Sequence, residues 1–436
     1  MSGQAAVVAS PYGPPRQWVL VTTPGPTNDR PLLLSGGAIF DDETRTFRAD
    51  VDLLCRDGRI AWLSGNNSEV PEGTRTLDCS GKYIIPGLID CHVHVTGSGD
   101  PTELNAANSA SLPMRSWKAA QYAEATLLAG FTTVRDLGAA DRLNIELSKA
   151  VENGLLRGPR ILAAGLGVTM TGGHGHGFLA READGPAEVR KAVREQLRAG
   201  ATAIKLFASG GVMTPGVDPR SPSFTEEELR AGVEEAHKAF RVVGAHAQAT
   251  DGIKNAIRAG VDSIEHGVWL DEEAIGLMLE RRTYLVATLT APWQIAHCGI
   301  AAGIPPFMVD KGWQVLESHE ESFRNAIKAG VNVAMGTDQG TPVNKPGENA
   351  QEILRIARLG LSNPAALLAA TAWASDLLRL QNEVGRIRAA LAADLLVLDR
   401  DPIEDLAVLA EQPAIRAVIQ AGHIVRTDLA GIEEKP

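Results

Sequence analysis

Cysteine is scarce in this sequence: four residues in 436, Cys55, Cys79, Cys91 and Cys298, with no CxxC pair among them. That excludes a disulfide framework in a chain of this size and fits a reducing compartment. Positive charge is also short, since 42 Lys and Arg face 53 Asp and Glu for a formal net charge of −11. With no lysine- or arginine-rich tract, nothing offers a nucleic acid an electrostatic footprint. No stretch reaches the roughly 18 apolar residues of a membrane span, and Ala5–Ala9 is too short for the apolar region of a signal peptide. A cytoplasmic protein with neither nucleic acid nor membrane as partner is expected. A glycine fingerprint for a dinucleotide is missing as well.

What is present describes a globular chain, 44% hydrophobic and 22% charged. Residues 1–30 are rich in Pro, Gly, Ser and Thr without a period and read as an extension. From Leu32 to Leu77, short alternating runs broken by Gly, Asp and Asn read as hairpins, so 31–82 forms the first part of a small β-domain. Beyond Tyr83 the rhythm changes to strand, loop, helix. Strand candidates are Tyr83–His94, Phe131–Asp136, Arg160–Gly165, Ala201–Ala208, Val242–Gln248, Ser263–Gly267, Tyr284–Thr290 and Val331–Asp338, eight in all. Amphipathic helical patterns lie between them, as at Ser116–Leu128, Ala187–Leu197, Thr225–Phe240 and Ser318–Lys328. After Leu378 the pattern returns to β, at Gly385–Ile387, Asp394–Leu398, Ile415–Gln420 and Gly422–Val425. The fold class expected is α/β: a (β/α)8 TIM barrel over 83–378, with a small β-sandwich-like domain built from both chain ends, 31–82 and 379–436.

The chemistry starts at Pro86-Gly-Leu-Ile-Asp-Cys-His-Val-His-Val95, where an apolar strand ends in two histidines spaced by one residue. A strand alternates its faces, so His92 and His94 point the same way while Cys91 faces the other side. Two imidazoles on one buried face are costly as packing and suited to a divalent metal. Active sites of such barrels form where the strands end, and strands five, six and eight end in Ala245-His246, Glu265-His266-Gly267 and Gly336-Thr337-Asp338. Strand four carries Lys205 inside the apolar run Ala203–Phe207. Alone, His246 or His266 would read as a hydrogen-bonded structural residue and Asp338 as a turn cap. An unpaired buried ammonium at Lys205 must lose its proton or find an anion. Six candidates from five strands converge at one end, which chance placement would rarely give.

These segments, in this order, resemble the amidohydrolase superfamily from about Leu32 to Val425, and most closely the lineage of dipeptidases, lysine/arginine carboxypeptidases and ochratoxin-hydrolysing amidases. The resemblance implies a binuclear centre of divalent ions, first of all zinc. In it, His92, His94 and Asp338 hold one metal, His246 and His266 the other, and Lys205, carboxylated by CO2, bridges the two. It implies attack by a metal-bridging hydroxide on the C–N amide bond of a small peptide-like or N-acyl amino acid substrate, with Asp338 as general base. A homo-oligomer is implied too.

The glycine-rich loop Thr169–Gly177 adds His174 and His176 on a flexible framework that could close over a substrate. In that lineage a histidine here lies near the substrate carbonyl, so one of the two is assigned to substrate binding. His237, His297, His319 and His423 stand at no strand end and read as structural or surface residues. Phe178, Phe224, Trp269, Trp293 and Phe307 hint at room for a bulky apolar group. Rival readings are a mononuclear imidazolonepropionase-like ring hydrolase or deaminase, a carbamate or ester hydrolase, and a scaffold that has lost its metals. Ala249 stands where deaminase relatives place a Glu, three residues after the strand-five His, and a mononuclear site has no need of Lys205. All six ligand positions are filled, which counts against a scaffold.

Overall fold

The computed structural model describes residues 30–64, 69–101, 110–429 and 432–434. The extension inferred for residues 1–30 therefore lies, apart from Arg30, outside the described residues. The first strands are β1 (Leu32–Asp41), β2 (Thr46–Arg56), β3 (Arg59–Leu63), β4 (Arg75–Asp78) and β5 (Tyr83–Pro86). β1, β2 and β3 form the antiparallel meander that the sequence pattern predicts. Asp57 and Gly58 turn β2 into β3 with φ of 52° and 77°, the left-handed pair a two-residue hairpin requires. β1 changes partner along its length: Leu32–Ser35 run parallel to β4, and Ala38–Ile39 parallel to β5. The break falls at Gly36-Gly37, where Gly36 has φ of 69° and a Cβ on Gly37 would meet Ile84 Cδ1 at 2.5 Å. Only glycine lets the two strands pass so closely.

Next come the parallel strands, β6 (Leu88–Val93), β7 (Phe131–Asp136), β8 (Arg160–Ala163), β9 (Gly167–Thr169), β10 (Ala180–Glu182), β11 (Ala203–Phe207), β12 (Val242–Ala247), β13 (Ser263–His266) and β14 (Tyr284–Val286). They pair as two parallel sheets, β6-β7-β8 and β10-β9-β11-β12-β13-β14. β6, β7, β11, β12 and β13 are buried at every position, as strands covered on both faces must be. The covering helices carry their own start and stop signals. Thr225 and Glu228 form a reciprocal capping box, and Gly200, Gly260 and Gly330 end their helices in the left-handed conformation.

Three strand expectations change. Tyr83–His94 is two strands, because the chain leaves one sheet at Gly87: β5 pairs with β1 and with β15 (Leu395–Leu398), so Tyr83–Pro86 lies in the sheet of the chain ends. Val331–Asp338 is not a regular strand. It carries a left-handed residue at Asp338 (φ 59°) and makes a single bridge, Val333 to Leu285, with a second, Gln339 to Val93, just past its end. Gly385–Ile387 is a bend, with Gly385 at φ 86° against Ser375. β15, β16 (Ile415–Gln420) and β17 (His423–Thr427) extend the first sheet to the order β17-β16-β15-β5-β1-β2-β3, with β4 beside β1. Both chain ends thus build one sheet around an apolar cluster that includes Leu34, Leu53, Ile84, Leu395 and Ile419. Among the described residues no helix is long and apolar enough to cross a membrane.

The crossing at Gly36-Gly37 gives a test. Gly37→Ala is predicted to destabilise the protein by about 1–3 kcal/mol, the usual cost of overpacking a filled core, read as a lower melting temperature. An unchanged melting temperature would mean that Ile84 turns aside at no cost.

Candidate metal centre

β11, β12 and β13 run parallel in adjacent register, Phe207 opposite His246 and Ala247 opposite His266, so Lys205 and both histidines rise on the same end of the sheet. His92 and His94 reach that end from β6, and Asp338 from the irregular segment alongside it, whose backbone N–H donates to the His92 carbonyl at 2.7 Å. All six predicted ligands therefore line one cavity of about 530 Å³.

Their hydrogen bonds show what the cluster can hold. His92 Nδ1 lies 2.9 Å from Glu265 Oε2, His94 Nδ1 2.8 Å from the Gly138 carbonyl, and His246 Nε2 2.8 Å from the Gly210 carbonyl. His266 Nδ1 lies 2.7 Å from Thr288 Oγ1, whose own proton goes to the Ala287 carbonyl. Each partner accepts, so each imidazole donates there and keeps the lone pair of its other nitrogen for the cavity. Burial pushes His92, His246 and His266 well below the ordinary histidine value, which keeps them neutral and ready to ligate. His92 Nε2 and His94 Nε2 converge on Asp338 Oδ1 at 3.4 and 3.3 Å, and one ligand atom from each of the three lies within 4.8 Å of the others. Burial raises the Asp338 carboxyl, but His92, His94 and Lys205 outweigh it and hold it at about 2. Lys205 Nζ sits 3.4 Å from His92 Nε2, and burial pushes its amine down to about 8. Burial lowers His94 as well, but its bond to Asp338 outweighs that and raises it. Three neutral imidazoles, this fourth histidine, an ionised carboxylate and an amine of lowered basicity fit divalent metal.

The backbone is strained at the same place. His266, Thr288 and Asp338 have φ of 71°, 54° and 59°, a region that costs a non-glycine residue of the order of 1–3 kcal/mol. Neighbouring bonds hold them there.

Several of those neighbours escape sequence reasoning. Glu265 Oε1 accepts from Arg135 Nη2 at 2.8 Å and from Ser263 Oγ, while Arg135 Nε donates to the Cys91 carbonyl at 2.6 Å. Asp90 accepts from Thr337 and Asn349 and so ties the Asp338 segment to β6. The signal is visible in retrospect: Arg135, Asp90 and Glu265 are charges inside apolar strands, as Lys205 is.

The loop after β8 is better anchored than its glycines imply. β9 and β10 flank it, Asp184 accepts from Thr171, and Glu182 accepts from the Gly172 N–H. His174 is buried against His246, with ring centroids 4.6 Å apart, and lines the cavity. His176 turns to the Gly173 carbonyl at 2.8 Å and does not line it. Of the aromatic residues singled out, Phe178 and Phe307 form cavity wall, whereas Phe224 lies in the main core. His319 does line the cavity, against expectation, and holds the His266 carbonyl through Nε2 at 2.9 Å.

The Arg135–Glu265 pair is fully buried, so removing one partner strands a charge. Arg135→Met is predicted to cost about 3–5 kcal/mol of stability, measured by denaturant unfolding, and a loss under 1 kcal/mol would show that the pair is dispensable.

Comparison with known proteins now adds to this geometry. The model of the Amidohydrolase family matches residues 83–425. Ochratoxinase of Aspergillus niger is 34% identical over 408 residues, covering 86% of this chain and 82% of the relative. A prolidase crystallised with N-methylphosphonate-L-proline is 35% identical with a TM-score of 0.84, covering 91% of this chain and 100% of that one. A Xaa-Pro dipeptidase with methionine in its active site is 32% identical with a TM-score of 0.82, over 90% and 99% of the two chains. Fold, strand-end cluster and match agree: this chain belongs to the Amidohydrolase family and is a hydrolase acting on C–N bonds.

Proposed function

We propose that the protein hydrolyses the amide bond of a small peptide-like or N-acyl amino acid through a binuclear centre of divalent ions, zinc in the first place. The carrying observation is the set of four imidazoles, each fixed by an accepting partner so that its other ring nitrogen is turned to the cavity that Asp338 and Lys205 also line. His92, His94 and Asp338 would hold one ion and His246 and His266 the other. Lys205 would bridge them as a carbamate, formed when its neutral amine adds to CO2 and releases a proton. Its lowered basicity supports that step. The relatives point the same way, since their names say that they act on ochratoxin or on Xaa-Pro dipeptides.

Bound metal supplies a hydroxide nucleophile at neutral pH and polarises the substrate carbonyl. The chain supplies the rest. Asp338, ionised and flanked by His92 and His94, takes the proton of the attacking water and returns it to the departing amine. His174, packed against His246, contacts the substrate carbonyl. Phe178, Phe207 and Phe307 line the cavity and make room for a bulky apolar group.

We also read the two parallel sheets as arcs of one (β/α)8 barrel. The segment Val331–Gln339 hydrogen-bonds to both Leu285 and Cys91, and Thr202 N–H reaches the Ala163 carbonyl, which supports closure on both sides. The bend at Gly36-Gly37 supports a sandwich-like fold for the sheet of the chain ends. All four cysteines are free thiols, in keeping with a cytoplasmic location. Exposed Met114 and Trp117 support a homo-oligomer.

Three outcomes test this reading. Release of amine from a panel of dipeptides and N-acyl aromatic amino acids should stop on chelation and return with zinc and bicarbonate; turnover indifferent to chelator would refute a metal mechanism. Asp338→Asn should lower kcat by roughly a hundred-fold or more, and normal kcat in that variant would remove Asp338 from proton transfer. Lys205→Ala should lose both activity and metal, measured by elemental analysis, and full metal retention there would exclude the bridging carbamate.

A further inference from the structure

We propose that Lys311 and Thr214 are positioning residues that fix His174 as a hydrogen-bond donor toward the substrate, Thr214 by setting which ring nitrogen carries the proton and Lys311 by clamping the loop that holds Thr214. This rests on the reading of His174 as a substrate contact.

Thr214 is 1% exposed, so its hydroxyl proton needs an acceptor within the protein. Thr214 Oγ1 already accepts from the Gly175 N–H at 3.0 Å, and 2.7 Å away stands His174 Nδ1. That nitrogen is the acceptor in reach. An imidazole that accepts at one ring nitrogen can carry its proton only on the other. With Nδ1 accepting, the proton sits on Nε2. The ring lies flat on Gly211, where a Cβ would stand 2.6–2.7 Å from Nε2, Cδ2 and Cε1, so its orientation is fixed on that side as well. A donor toward the carbonyl gains strength as negative charge develops on that oxygen, whereas a lone pair in its place would repel it.

Lys311 makes this arrangement rigid. It projects from the helix Pro306–Ala329, and its Nζ donates to the carbonyls of Gly211 (3.2 Å), Thr214 (2.7 Å) and Val217 (2.5 Å). Three donors meet three acceptors, and the loop closes around the ammonium. The same loop supplies the Gly210 carbonyl that orients His246. One lysine on a distant helix therefore holds the segment that orients both His246 and His174.

The test combines spectroscopy with kinetics. In protein as purified, labelled with ¹⁵N in its histidine rings and assigned with His174→Gln, the His174 signals should show a protonated Nε2 and a bare Nδ1. A protonated Nδ1 would overturn the proposal. Thr214→Val should lower kcat about ten-fold or more with little change in KM, while Thr214→Ser, which restores the hydroxyl, should recover most of it. Equal losses in the two would mean that Thr214 only packs, and would also overturn the proposal. Lys311→Met should lower kcat as well, and its loss should fail to add to that of Thr214→Val; additive losses would exclude Lys311 from the relay. Should Thr214→Val fail to fold, the ring-nitrogen assignment and the serine variant decide. If the wild-type protein released no amine from any amide, the functional reading would fall, and the ring assignment would still judge the placement of the proton.

Discussion

One buried carboxylate, Glu265, is shared between Arg135 and His92, and the cluster depends on that sharing. The three side chains come from β7, β13 and β6, and Arg135 also reaches the Cys91 carbonyl. Three strands are thereby fixed in register at the level of the site. Removing so many charges from water is unfavourable unless each finds a partner, and here each does. The arrangement has a chemical consequence too. A carboxylate behind His92 Nδ1 settles the ring's tautomer and strengthens Nε2 as a ligand.

The same logic repeats around the cavity with cheaper partners. His94 and His246 give their outer proton to backbone carbonyls, and His266 gives its proton to a threonine. Burial keeps His92, His246 and His266 neutral, and the surrounding bases hold Asp338 ionised. The cavity thus offers lone pairs at His92, His246 and His266 beside an ionised Asp338, while the protons in it sit on His94, which burial lowers but Asp338 raises further, and on Lys205, at about 8. Such a set of groups suits a divalent metal.

Much of the site is legible in the sequence because strand periodicity is strict. His-Val-His places two histidines on one face whatever the loops do, and a lysine or histidine at the end of an apolar run is costly to bury unless it serves a site. The strand-helix alternation and the return to β at the end of the chain are equally visible. What stays hidden depends on pairing between distant segments. Nothing local says that Tyr83–Pro86 leaves its apparent strand to pair with Leu395–Leu398, or that Val331–Asp338 trades regular pairing for a strained Asp338. His174 and His176 look equivalent in a glycine loop. They separate only because Thr214 reaches one and the Gly173 carbonyl the other. His319 reads as a structural residue because it stands in a helical pattern, yet that helix crosses the strand ends and brings it to the cavity.

The central claim is that these residues hold two metal ions at once, and metal content per chain tests it most directly. Protein purified without chelator, supplied with zinc and bicarbonate and freed of excess, should carry about two equivalents by elemental analysis. A single equivalent would leave His92, His94 and Asp338 as a mononuclear site and contradict the bridged centre; none would contradict the metal mechanism altogether.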